Sequence, residues 1–167
     1  MITLVLGGAR SGKSAVAERI AAGAGGPVSY LATGVATDPA MADRIAAHRS
    51  GRPGDWTTLE CGADLVGAVR AARGVVLVDA LGTWLAGIDG FEAPTGALCE
   101  ALRARQPART IVVSDEVGMG IHPENDAGRR FRDALGALNQ AVAAVADEVY
   151  LVVAGRLLPL AGVDGRA

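Results

Sequence analysis

Ile2-Thr3-Leu4-Val5-Leu6-Gly7-Gly8-Ala9-Arg10-Ser11-Gly12-Lys13-Ser14 is the stretch on which the reading of this chain turns. An apolar run over 2–6 meets a glycine pair, and an Ala-rich segment of helical period follows over 13–22. Residues 7–14 fit G-x-x-x-x-G-K-[ST], and a strand before with a helix after is the context that gives the pattern meaning. Glycines let successive backbone N–H groups turn inward around a phosphate, and the start of the helix adds its positive end. Gly7, Gly8, Ala9, Arg10, Ser11, Gly12, Lys13 and Ser14 are therefore nucleotide-binding candidates. Lys13 is placed to act on the terminal phosphates as a catalytic residue, and the Ser14 hydroxyl is placed to hold Mg²⁺.

Fifteen of the sixteen basic residues are Arg, and Lys13 is the one lysine. A compact ammonium lies between two phosphates where a planar guanidinium is too wide. The single lysine also removes one class of function, because GTPase switches read guanine through Asn-Lys-x-Asp and no second lysine exists to build that element.

Outward from the loop, short β-branched runs alternate with longer Ala-rich stretches. Strands are expected over 2–6, 28–32, 75–79, 110–114 and 149–153, with a further short one over 57–60. Helices are expected over 13–22, 40–48, 63–72, 95–105 and 124–146, and 87–90 and 157–167 read as loop and tail. That alternation is an α/β three-layer fold built on a parallel sheet. At 167 residues it forms one domain over 1–167, with no repeat that would make a solenoid.

A net charge of -2, from 16 basic and 18 acidic residues, leaves no electrostatic footprint for a nucleic-acid or anionic-membrane binder. No apolar run approaches the ~20 residues of a membrane span, and 2–6 is not a signal peptide. Cys61 and Cys99 read as reduced thiols of a cytoplasmic protein, with neither a disulfide framework nor a structural zinc site. Helicases and motor ATPases need more chain than this, so a small-molecule transferase is favoured.

Two further groups carry chemistry. Val75-Val76-Leu77-Val78 ends in Asp79, the acid at a buried strand end that completes a P-loop metal site; the plainer reading is an Asp capping the next segment. Asp38-Pro39 opens a short helix on which Met41, Ile45 and His48 share a face, followed by Arg49-Ser50-Gly51-Arg52-Pro53. Spacing leaves two readings of His48 open: an imidazole favoured at a helix C-terminus by the dipole, or a nucleophile toward phosphorus. In the second, Arg49 and Arg52 form an anion clamp and keep the imidazole neutral by lowering its pKa. The 34–38 and 50–54 turns are candidate hinges.

Several segments together resemble one family. GGARSGKS at 7–14, MADRIAAHRSGRP at 41–53, WTTLEC at 56–61, VLVDALGTWL at 76–85 and SDEVGMGIHPENDAGRRFRDALGALNQAVAAVADEVYLVVAG at 114–155 are similar to the bifunctional adenosylcobinamide kinase / adenosylcobinamide-phosphate guanylyltransferases. The resemblance implies phosphorylation of the aminopropanol hydroxyl of adenosylcobinamide by ATP or GTP, then transfer of GMP from GTP through a GMP-histidine intermediate. His48 matches the family's R-I-x-x-H pattern and takes the catalytic role. Ala32, Thr33, Gly34, Arg49, Ser50, Gly51, Arg52, Glu60 and Asp79 join the 7–14 loop at the nucleotide, with Ser14 and Asp79 as metal ligands.

It further implies a RecA-like P-loop fold with an antiparallel edge strand, Mg²⁺ as cofactor, a corrinoid as partner and a homotrimer; we place 149–153 as an outer strand of that sheet. Two positions depart from the family pattern: Asp115 stands where Asn is expected, and His122 where a small apolar residue is expected. His122 reads as a solvated loop position. Rival readings are a simple P-loop small-molecule kinase in which His48 only packs, and a nucleotide-binding regulatory module without chemistry.

Overall fold

Runs of apolar residues without polar alternation need cover on both faces, and Leu4, Val5, Val76, Leu77, Val78, Ile111 and Val113 are each fully buried. The computed structural model of the chain describes residues 1–34 and 54–162. Its elements are β1 (Ile2–Gly7), α1 (Lys13–Gly23), β2 (Val28–Ala32), β3 (Thr57–Glu60), α2 (Leu65–Ala71), β4 (Val75–Asp79) and α3 (Leu81–Ala86). A 3-10 turn (Asp89–Phe91) follows, then α4 (Thr95–Ala104), β5 (Thr110–Asp115), α5 (Asp126–Ala143), β6 (Glu148–Val153) and β7 (Arg156–Pro159).

One sheet runs β3-β2-β4-β5-β1-β6-β7. Every neighbouring pair is parallel except β6 and β7, so the α/β, mostly parallel architecture with an antiparallel edge stands as expected. Period-two alternation sends Ile2, Leu4, Val76, Val78 and Val112 to one face, where they pack against Leu65 and Val69 of α2, Trp84 of α3, Leu102 of α4 and Leu135 of α5. Val5, Leu77, Ile111 and Val113 face the other way, onto Val16, Ala17 and Ala21 of α1. Helices on both faces give the three layers.

Several boundaries differ from expectation for local reasons. The expected 63–72 helix begins at Leu65 because the Asp64 carboxylate caps it, accepting from the Gly67 amide at 2.9 Å. The expected 124–146 helix begins at Asp126 because Asn125 accepts from the Gly128 amide at 2.7 Å. Part of the 87–90 loop is drawn into the 3-10 turn, and α3 was not expected at all.

The larger correction is at the sheet edge. The expected tail over 157–167 contains most of β7, and 149–153 is not the outer strand: β6 is parallel to β1 and lies one strand in. A two-residue turn makes the hairpin, with Ala154 at φ 50° and Gly155 at φ 72°, the left-handed pair that matches the twist of antiparallel strands. The expected helix over 40–48 lies outside the described residues. Among the described residues no helix is long and apolar enough to cross a membrane.

Candidate nucleotide-binding site

Strand register brings the sequence candidates to one rim. Gly7 pairs with Asp115, and Ala32 pairs with both Asp79 and Glu60, so all lie at the carboxyl ends of parallel strands, where open α/β sheets bind ligands. From Gly7 the chain turns into α1 through a loop that is tightly packed at its first glycine. A β-carbon at Gly7 would stand 2.4 Å from Ser11 Oγ and 3.0 Å from the Val152 carbonyl. Gly12, the N-cap of α1, has φ 90°, a conformation that favours glycine. The Ser11 amide donates to the Gly8 carbonyl at 3.2 Å and the Lys13 amide to Ser11 Oγ at 3.3 Å, which closes the wrap.

The hairpin between β6 and β7 touches this loop. The Gly155 amide donates to the Ser11 carbonyl at 2.7 Å, and a β-carbon at Gly12 would lie 3.3 Å from Gly155 Cα. Glycine at 12 lets the two turns approach backbone to backbone, whereas at 155 it is the left-handed φ of 72° that favours glycine.

Lys13 folds back over the loop, its Nζ donating to the Gly8 carbonyl at 3.3 Å and lying 2.7 Å from Asp115 Oδ1. Ser14, in the first turn of α1, donates its hydroxyl to Asp79 Oδ1 at 3.1 Å. The other oxygen of Asp79 accepts from the buried Tyr30 hydroxyl at 2.5 Å. Asp79 is thus oriented from two sides and caps no helix, since α3 begins after Ala80 with no side-chain cap. Two hard oxygen donors, a hydroxyl and a carboxylate, fit Mg²⁺, which keeps its remaining positions for water and phosphate oxygens. Among the described residues no cluster of three or more His, Cys, Asp or Glu could hold a metal by itself.

Thr33 is buried and its hydroxyl is committed to backbone, donating to the Ala80 carbonyl at 2.7 Å and accepting from the Ala80 amide at 2.9 Å. It fixes the turn after β4, while Ala32 lies in register with Asp79 and the Thr33 amide donates to the Asp79 carbonyl at 3.3 Å. Glu60 stands farther along the rim: β3 is four strand spacings from β1, about 19 Å at sheet spacing. The next residue, Cys61, directs its Sγ at the Ala32 carbonyl at 3.2 Å. Burial pushes that thiol's pKa up, hydrogen bonding at its own backbone partly offsets the rise, and the Asp64 carboxylate adds to it. His48, Arg49, Ser50, Gly51 and Arg52 lie outside the described residues. His122 is exposed.

Sequence reasoning passed over three contributors. Asp115 was noted only as a departure from a pattern, yet it is the carboxylate against Lys13, seated where a β-carbon at Gly82 would come within 2.3 Å of its Oδ2. Tyr30 reads as an ordinary core aromatic. Asn139 on α5 accepts from Ser114 Oγ at 2.6 Å and donates to the Asp115 carbonyl at 3.0 Å, tying α5 to the end of β5. Beside Glu116 and Leu6 opens a cavity of about 530 Å³ along α5, walled by Asn139, Gln140, Ala144, Val149 and Leu160.

The sequence profile described as cobinamide kinase / cobinamide phosphate guanyltransferase matches residues 3–160. The chain belongs to that family. It is 43% identical to the bifunctional adenosylcobalamin biosynthesis protein CobP of Pseudomonas aeruginosa, over 97% of this chain and 98% of that protein. The bifunctional adenosylcobalamin biosynthesis proteins CobU of Salmonella typhimurium and Escherichia coli are each 40% identical, over 93% of this chain and 97% of theirs. As a family member the chain is a bifunctional kinase and guanylyltransferase of the P-loop type. The solved structure of the flagellar accessory protein FlaH from Methanocaldococcus jannaschii is similar at a TM-score of 0.48 and 12% identity, over 93% of this chain and 74% of that one.

Proposed function

We propose that this chain phosphorylates the aminopropanol hydroxyl of adenosylcobinamide with ATP or GTP, and then guanylylates the product with GTP to give adenosyl-GDP-cobinamide in cobalamin biosynthesis. The observation that carries the nucleotide half of this reading is the junction of Ser14 and Asp79 beside Lys13 on a glycine-wrapped loop. The family match carries the corrinoid half.

In the first reaction the acceptor hydroxyl oxygen attacks the γ-phosphorus, the bond to the bridging oxygen breaks, the nucleoside diphosphate leaves and the hydroxyl proton passes to solvent. The 7–14 loop amides and Lys13 stabilise charge spread over the transferred group, which is most of what phosphoryl transfer asks of a protein. Ser14 and Asp79 would hold Mg²⁺, whose charge offsets that of the phosphate chain. Tyr30 holds Asp79 in orientation for that task.

In the second reaction the His48 imidazole attacks the α-phosphorus of GTP and pyrophosphate leaves. The phosphate of the acceptor then attacks the same phosphorus, the P–N bond breaks and free His48 is restored. Arg49, Ser50, Gly51, Arg52, Ala32, Thr33, Gly34 and Glu60 complete the nucleotide contacts in this reading. Among the described residues the lining of the cavity beside Leu6 and Glu116 is uncharged or acidic, which suits an amide-bearing macrocycle better than a second phosphate.

We take residues 1–167 as one nucleotide-binding domain acting in the cytoplasm as a homotrimer. Support for an assembly comes from the exposed apolar rim of the sheet, where Val153, Leu157 and Leu158 are about half open to solvent.

Incubation with GTP labelled at the α-phosphate tests the mechanism. The wild type forms an acid-labile, alkali-stable guanylyl-protein; His48→Ala forms none, yet still phosphorylates the acceptor. An undiminished adduct in His48→Ala places the nucleophile elsewhere, and phosphoryl transfer with no adduct in the wild type leaves a simple kinase.

A further inference from the structure

Asp115 has no role in the reactions above, although among the described residues it is the carboxylate paired with the loop lysine. Its position is dictated by topology: β5 lies between β1, which carries the phosphate loop, and β4, which carries Asp79. The carboxylate therefore stands between the lysine and the metal side of the site. Two contacts and one space left by a glycine keep it there. Lys13 Nζ lies 2.7 Å from Oδ1, Gly82 leaves room for Oδ2 that any β-carbon would take, and Asn139 holds the Asp115 carbonyl at 3.0 Å.

A loop lysine of this kind serves the β- and γ-phosphates. Once a phosphate oxygen shares the Lys13 ammonium, the Asp115 carboxylate is a second anion on the same cation, within a few ångströms of the outermost phosphate. Repulsion at such range in a partly desolvated site is large, and it falls on the γ-phosphate rather than on a diphosphate ending deeper in the loop. An amide at this position would keep the shape and remove the charge.

We propose that Asp115 sets the phosphate selectivity of this site: it holds Lys13 when no nucleotide is bound, and it makes tight binding of a nucleoside triphosphate, relative to the diphosphate, conditional on a divalent cation. This rests on the reading of the 7–14 loop as a triphosphate site, and the test separates the two.

Equilibrium titrations of ATP and ADP against wild type and Asp115→Asn, in excess EDTA and in MgCl₂, read the effect without turnover. In EDTA, Asp115→Asn binds ATP at least about tenfold more tightly than wild type, while ADP affinity moves by less than about threefold. In MgCl₂ the gain for ATP shrinks. Asp115→Ser, which removes the charge with a different shape, moves the ATP to ADP ratio the same way. A ratio unchanged in both variants in EDTA, or ATP binding weakened by both, overturns the role of Asp115 and leaves the loop assignment standing. Failure of the wild type to bind either nucleotide with MgCl₂ overturns both.

Discussion

The Ser14 hydroxyl donates to Asp79 Oδ1 at 3.1 Å, so the first turn of α1 and the end of β4 meet although 65 positions separate them. Tyr30 completes the arrangement from β2 by donating to Asp79 Oδ2. Tyr30→Phe keeps the packing of the ring and removes that donor, and groups that orient a metal-binding carboxylate matter for affinity. We expect the Mg²⁺ concentration for half-maximal kinase activity to rise about tenfold, with the acceptor KM unchanged. A magnesium titration of initial rates decides it.

Lys13→Ala is expected to lower both half-reactions by about a hundredfold or more, since one preformed donor to a developing oxyanion is commonly worth that much. The fold should survive, because the Asp115 side chain is 32% exposed and water replaces its partner. Separate assays of phosphoryl transfer and of guanylyl transfer to preformed acceptor phosphate, with thermal unfolding as control, test this. Near-normal turnover in either half would mean the two reactions do not share the loop.

Asn139→Leu tests the tie between α5 and β5. Ser114 is fully buried and loses the acceptor it now reaches at 2.6 Å. An unsatisfied buried hydroxyl costs about 1–3 kcal/mol, to be read from urea unfolding. Because the Asp115 carbonyl loses its donor as well, nucleotide affinity should change in the same variant.

The cavity along α5 offers a steric test of where the acceptor lies. Ala144 is exposed on its wall, so Ala144→Trp fills space without disturbing the core. We expect KM for the corrinoid to rise about tenfold with KM for ATP unaltered, the signature of lost uniform binding to one substrate. Equal KM values in variant and wild type would move the acceptor to another face.

The sheet was legible because the central strands are short runs dominated by buried apolar residues, and the phosphate loop because its chemistry requires glycine, lysine and hydroxyl at fixed offsets. Less legible were the elements whose reason is tertiary. The helix Leu81–Ala86 has six residues, fewer than two turns, and no amphipathic period can be read from so short a segment. Strand β7 has four exposed residues ending in Pro159, and its turn uses Ala154 where Asn or Gly would have announced a hairpin. In the site, Asp79 could be foreseen from its place after four apolar residues. The pairing of Asp115 with Lys13 could not, since it depends on β5 lying beside β1 with Gly7 opposite Asp115.

Gly155 gives its amide to Ser11 and lies against Gly12, so the hairpin at the rim of the sheet acts as a brace on the outer bend of the phosphate loop. Strain applied to β7, by a clipped hairpin or by a neighbouring molecule that grips its outer side, is transmitted through the Gly155–Ser11 backbone bond to the turn that cradles the ligand. The rim is mechanically part of the cradle.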